Sequence, residues 1–207
     1  MVSVDEIFNK WSENGRSEYM EKEHSKTTLP FINSLNFEND FTFLDVGCGN
    51  GWVVRKIAKI EQCVSAYGID TSGHMIKNAL SKKSLENETY VHTSIEEWNY
   101  NENFDYIFSM ESLYYSVPME PALQKIFNLL KNNGKFFCGT DFYVENKDTM
   151  IWANDMKVPM DLRTKQEWKN MFEKIGFSVT MKQITTPNDE KRWRREIGTL
   201  FLTGHKL

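Results

Sequence analysis

The chain reads as an α/β protein: a doubly wound, mostly parallel sheet. From Phe41 onward short apolar runs alternate with amphipathic stretches; the first run ends in an acid and glycines at every second position, and the second run also ends in an acid. Strands separated by helix-length stretches pair in parallel and carry helices on the sheet faces. At 207 residues, 40% hydrophobic and 26% charged, the chain fits one domain with a substantial core.

The elements follow in order. Residues 4–35 read as helical and belong to no βα repeat. The first strand spans 41–46, and Gly51 opens a helix to about Ile60 with Val53, Val54, Ile57 and Ala58 inward. Val64–Ile69 is the second strand. Asp70-Thr71-Ser72 supplies cap chemistry for a helix to about Lys83, whose buried stripe is Met75, Ile76, Ala79 and Leu80. A third strand covers 89–93, and Ser94–Trp98 forms a single turn. Phe104–Ser109 is the fourth strand; a helix near 119–131 follows, ended by Asn133-Gly134. The fifth strand runs from Lys135 to Phe142, and the next 20 or so residues show no regular element. Thr164, with Glu167 as capping-box partner, starts a helix that Gly176 stops. Residues 177–184 and 197–203 pair antiparallel, giving seven strands in all.

Chemistry concentrates in Asp45-Val46-Gly47-Cys48-Gly49-Asn50-Gly51. Alternating glycines let a strand turn sharply beneath a ligand. A dinucleotide loop has the spacing G-x-G-x-x-G, with its third glycine seating a pyrophosphate; here the spacing is G-x-G-x-G, which disfavours an NAD-dependent dehydrogenase. Asp45, ahead of the loop, suits a positive group, pointing to an adenosyl cofactor with an ammonium and a sulfonium. Asp70, 19 residues beyond Gly51, is placed to accept from both hydroxyls of a ribose. Ser94-Ile95-Glu96, after the third strand, is placed to read an adenine edge.

These residues resemble the class I S-adenosylmethionine-dependent methyltransferases. Asp45–Gly51 matches their first motif, Gly68-Ile69-Asp70 their second, and Phe104-Asp105-Tyr106-Ile107 the strand before their catalytic region, over about residues 41–142. The resemblance implies a Rossmann-like methyltransferase fold whose seventh strand is reversed. It implies S-adenosyl-L-methionine as cofactor and S-adenosyl-L-homocysteine as product. Asp45 and Gly47 would hold the methionine portion, Asp70 the ribose, Thr71 and Met75 the adenosine side, and Ser94, Ile95 and Glu96 the adenine; Cys48, Gly49, Gly51 and Met110 would complete the cofactor-binding residues. Ser94 stands where many members have Asp.

One domain is expected, divided into a helical lid (1–35), a cofactor-binding core (36–142), a substrate-side insertion (143–163), and a C-terminal helix with β-hairpin (164–207). Ligands of open α/β sheets bind beyond the carboxyl ends of the strands. The acceptor pocket should therefore use Met110, Glu111, Tyr114 and Tyr115; Asp141, Tyr143, Glu145 and Asn146; Trp152, Asp155 and Met156; and, from the N-terminal segment, Trp11, Arg16, Tyr19 and His24. His24, Tyr114, Asp141 and Tyr143 are the catalytic candidates, and Trp11, Tyr19, Tyr115, Glu145 and Trp152 the substrate-binding ones. An aromatic and acidic cluster suits a small acceptor, an amine or a soft thiol-like group.

The net charge of -4 supplies no basic field for nucleic acid. Only Lys191-Arg192-Trp193-Arg194-Arg195 is basic enough to dock RNA or protein, and it reads as a solvated hairpin turn. Cys48, Cys63 and Cys138 lack metal-type spacing, so no metal is expected. No apolar run reaches membrane-spanning length, and residues 1–30 lack a basic start followed by an apolar core. The expectation is a cytoplasmic protein acting on a small molecule, with no nucleic-acid or membrane partner. The competing readings are a protein or RNA methyltransferase and a non-catalytic S-adenosylmethionine-binding module. The oligomeric state is not encoded in any motif.

Overall fold

A computed structural model describes residues 3–37 and 39–207; Met1, Val2 and Glu38 of the expected lid and core lie outside the described residues. Two helices open the chain: α1 (Val4–Glu13) and α2 (Arg16–Asn33). The α/β part runs β1 (Phe41–Val46), α3 (Trp52–Ile57), β2 (Cys63–Asp70), α4 (Gly73–Ser81), β3 (Glu88–His92), β4 (Phe104–Met110), α5 (Glu120–Leu129) and β5 (Leu130–Thr140). It ends with α6 (Trp152–Met156), α7 (Lys165–Ile175), β6 (Ser178–Ile184), α8 (Arg192–Glu196) and β7 (Thr199–His205). The strands form one sheet in the order β3-β2-β1-β4-β5-β7-β6, parallel except that β7 is antiparallel to both its neighbours. This is the fold class read from the sequence.

Alternation along the strands sends side chains into two cores. Leu44, Ile107 and Phe136 join Leu123, Trp168 and Phe172 on one face; Phe43, Phe108 and Phe137 join Val54, Ile57 and Ile76 on the other. Both faces are covered, so the central strands are apolar throughout. The second core also takes Phe31 of α2, stacked on Phe201 at 4.2 Å between ring centres. The expected lid segment is thus two things: the end of α2 is core, while α1 and the start of α2 lie over the sheet's carboxyl edge.

Several boundaries differ from expectation. The helix after β4 stops at Leu129 rather than at Asn133-Gly134, because Leu130 is already paired with Phe104 of β4 and its carbonyl accepts from Asn103 and Lys206. The fifth strand ends at Thr140, leaving Asp141 beyond its carboxyl end. Leu80 lies outside the buried stripe of α4, 52% exposed, whereas Met75, Ile76 and Ala79 are buried. The 143–163 insertion contains regular structure, a 3₁₀ turn at Lys147–Thr149 and α6, both too short for a periodic signal. At α7 the capping box of Thr164 and Glu167 forms as read, and Gly176 closes the helix at φ 119°.

Candidate functional site

A cavity of about 690 Å³ lies at the carboxyl ends of the parallel strands, bounded on its outer side by α1 and the first half of α2. Its floor begins with the glycine loop. Gly47 and Gly49 have φ of 74° and 53°, the left-handed region that favours glycine. A Cβ on Gly47 would stand 2.3 Å from Ser112, while one on Gly49 would meet nothing within 4 Å. Packing therefore requires the first glycine, and the second leaves bare backbone open. The amides of Gly47 and Cys48 both donate to the Ile69 carbonyl, at 2.9 and 3.0 Å, fastening the loop to the end of β2.

Asp45 ends the floor's first strand and is 2% exposed, yet its carboxylate has neither a hydrogen bond nor an ion pair among the described residues. Burial pushes its pKa well above the ordinary carboxyl value, and the nearby Asp70 pushes it further. Asp70 is raised by burial too, partly offset by amide donors from Ser72 and Gly49, each at 2.8 Å. Two acids confined together without a cation are costly, and an incoming positive group relieves that cost. Asp70 keeps lone pairs free for hydroxyl donors beyond its two amides. The donor set fits an adenosyl cofactor with a cationic amino-acid end.

Cys48, Thr71, Met75, Ser94, Ile95, Glu96 and Met110 line the same cavity. Gly51 does not. It caps α3, and a Cβ there would strike the Tyr90 ring at 2.5 Å, so its place is structural.

The far half of the cavity is assembled from separate segments. Glu111, just past β4, takes a φ of 53°, a left-handed conformation uncommon for a non-glycine residue. Its carboxyl accepts from the Asp141 amide and, at 3.0 Å, from the Tyr114 hydroxyl. Asp141 accepts from the Thr199 hydroxyl at 2.6 Å. Burial raises both acids: Glu111 far above the carboxyl range, Asp141 to about 6, where the Thr199 bond and the charges of Arg194 and Lys191 hold it down. His24 of α2 completes the group, and potential ligand atoms of His24, Glu111 and Asp141 lie within 4.8 Å of one another. Burial, then Arg194 and Lys191, depress its imidazole to about 3, so the ring is neutral.

Of the acceptor-side candidates, Trp11, Tyr19, His24, Tyr114, Tyr115, Asp141 and Trp152 line the cavity, as do Arg16, Asp155 and Met156. Tyr143 and Glu145 do not. The Tyr143 side chain is fully buried and its hydroxyl donates to the Gly198 carbonyl at 2.9 Å. Glu145 is exposed and accepts from the Lys165 amide at the start of α7. Asn146 is likewise buried, donating to the Asp141 carbonyl at 2.8 Å.

The basic cluster is not a solvated turn. Trp193 and Arg194 are 7% and 5% exposed; Arg194 pairs with Glu23 and, at 3.5 Å, with Asp189, while Lys191 reaches Glu23 at 3.2 Å and Lys26 bridges Asp189 and Glu23 at 2.7 Å. This network ties α2 to α8 beside the cavity. The interleaved Trp193 was the available signal that one side of the cluster turns inward; Glu23 had none.

Fold and site together define a class: a doubly wound α/β domain with a glycine loop and strand-end acids at the switch point between β1 and β4. A family model described as a methyltransferase domain matches residues 37–176, and the chain belongs to the class I S-adenosylmethionine-dependent methyltransferase family. It is 25% identical over 162 residues to a candidate methyltransferase of Invertebrate iridescent virus 6, covering 78% of this chain and 55% of that protein; the chain thus spans about half of that relative's length. Among solved structures it superposes on the methyltransferase-family chain solved with the Haloferax volcanii Trm112 methyltransferase activator, with a TM-score of 0.91, 23% identity and 99% of each chain covered. The N-methyltransferase NodS from Bradyrhizobium japonicum, solved with S-adenosylhomocysteine, matches at a TM-score of 0.62 and 17% identity, over 81% of this chain and 79% of that one. Among the described residues no helix is long and apolar enough to cross a membrane.

Proposed function

We propose that the chain transfers a methyl group from S-adenosylmethionine to a small-molecule acceptor in the cytoplasm. The observation that supports the reading is Asp45: a buried carboxylate without a partner among the described residues, beside a loop of open backbone. Asp45 and Gly47 would hold the cofactor's amino-acid end, Asp70 the ribose, and Ser94–Glu96 the adenine. When bound, the cofactor would supply an activated methyl group on a sulfonium. The protein's work is positioning and exclusion of water. Helix α1, fastened to α4 by Asn9 on Ser72 at 2.7 Å and by Glu13 on His74 at 3.0 Å, would cover the bound pair as part of a lid.

A macromolecular acceptor has little support, since Trp193 and Arg194 of the basic cluster fold inward. Calorimetric titration tests the cofactor: S-adenosylhomocysteine is expected to bind and NAD not, and the reverse would overturn the assignment. Transfer of labelled methyl to a panel of amines, thiols, phenols and acids separates an enzyme from a non-catalytic binder.

A further inference from the structure

The far half of the cavity carries a charge pattern that methyl transfer in general does not require. Glu111 and Asp141 are 8% and 2% exposed, and neither forms an ion pair among the described residues. One oxygen of Asp141 has no hydrogen-bond partner among the described residues, and the ring nitrogens of His24 have none either, although both residues line the cavity. A buried carboxylate oxygen and a neutral imidazole nitrogen facing the same space are acceptors awaiting a donor.

We infer that this cluster is the seat of the acceptor's ammonium group: the acceptor is a primary amine that donates to Asp141, Glu111 and His24, and Asp141 Oδ2 takes its proton. The inference rests on the methyl-transfer reading above and names its substrate class.

Spacing supports it. An ammonium donating three bonds of about 2.9 Å at tetrahedral angles has its acceptors about 4.7 Å apart, within the span of the three residues. Charge supports it as well. Burial raises both acids, and the charge of Asp141 raises Glu111 further, so the pair resists carrying two negative charges, which matches one ammonium better than a divalent ion. The groups facing the pair leave its negative charge in place. Arg194 and Lys191 of the α8 segment are engaged by Glu23 and Asp189, while Tyr114, Tyr115 and Cys138 are held neutral by burial. Aromatic walls from Tyr114, Tyr115 and Trp152 favour a cation.

The proton step balances simply. R–NH₃⁺ and the Asp141 carboxylate become R–NH₂ and a carboxylic acid, freeing the nitrogen lone pair that attack on the methyl carbon requires.

The test uses the full chain saturated with S-adenosylhomocysteine and titrated with propylamine, propan-1-ol and propionate near neutral pH. Propylamine is expected to bind at least about tenfold tighter than the other two, as a bond to a charged group warrants. Asp141→Asn, isosteric and still bonded to Thr199, should remove that preference while leaving S-adenosylhomocysteine affinity unchanged; His24→Gln, which keeps an acceptor, should retain part of it. The preference should also fade as the pH falls below about 6. Equal binding of amine and alcohol, or an amine preference that survives Asp141→Asn, overturns the inference. So does tight Mn²⁺ binding that Asp141→Asn abolishes, which would make the cluster a metal site. Failure to bind S-adenosylhomocysteine at all would instead sink the cofactor reading.

Discussion

The two halves of the cavity are built on opposite plans. The half proposed for the cofactor draws on neighbouring strand ends, and much of it is backbone: the Gly47–Gly49 loop, whose Gly49 amide donates to Asp70, with Asp45 beside it. The half proposed for the acceptor gathers side chains from α2, the ends of β4 and β5, the 143–163 segment and α8, across sequence separations as large as 171 residues between Glu23 and Arg194. The cofactor is common to a family, so local, repeatable geometry serves it; an acceptor differs between members and is met by side chains on connecting segments. The halves also differ electrostatically. Both hold buried acids without an ion pair among the described residues, but only the acceptor half sits beside a satisfied ion network.

The comparison can be broken first through that network. Arg194→Ala would leave Glu23 and Asp189 short of a buried partner; with Lys26 and Lys191 still in place we expect a loss of about 3 kcal/mol of stability in denaturant unfolding, the low end for a broken buried pair. Cofactor affinity measured on the folded fraction should hold; its collapse would show that the halves are not separable. Next come the acids of the cofactor half. Asp45→Asn and Asp70→Ala should each weaken S-adenosylhomocysteine by about 1.5–3 kcal/mol, or roughly 10- to 150-fold, by calorimetry. Unchanged binding in Asp70→Ala would reduce that residue to a local cap for the amides of Gly49 and Ser72.

The pH dependence of stability separates the cavity's unpaired acids from the ion network by sign. Asp141 is raised from 3.8 to about 6, so its contribution is fully present below the ordinary carboxyl value and is lost as the pH rises through 6; Asp45 and Glu111 act in the same direction. Glu23 and Asp189 are the reverse. Burial alone would raise them, but hydrogen bonds from Lys26 and, for Glu23, from Arg194 hold each at about 2; their contribution is present above the carboxyl range and lost as the pH falls through 2. Thermal unfolding of the free protein should therefore weaken between about pH 4 and 6, and bound S-adenosylhomocysteine should flatten that slope by supplying a cation to Asp45. A rising slope in that window would refute the assignment of unpartnered acids. The smallest effect is expected at Tyr143→Phe: about 1 kcal/mol of stability for the hydroxyl's bond to Gly198, with no change in cofactor binding.

Legibility follows from distance along the chain. Asp45, Gly47, Gly49 and Asp70 were readable because strand, turn and strand-end acid are local features with fixed spacing. Tyr143 and Glu145 were misplaced because the backbone beyond β5 turns away after Asp141, held by Asn146 and Thr149 bonds to the Asp141 carbonyl, and a run of polar and aromatic letters does not encode that turn. Gly51 looked like part of the ligand loop, yet the Tyr90 ring from β3 claims the space beside it.

By itself the sequence determined the winding of the sheet, the antiparallel pairing of its last two strands, and the glycine loop with its two strand-end acids, since periodicity and short-range spacing specify local backbone. Only the tertiary structure decided that Glu111, Asp141 and His24 meet, that Arg194 turns inward to Glu23, and that the end of α2 is core rather than cover. Those are contacts between residues far apart in the chain, and they exist only once both faces of the sheet have been packed.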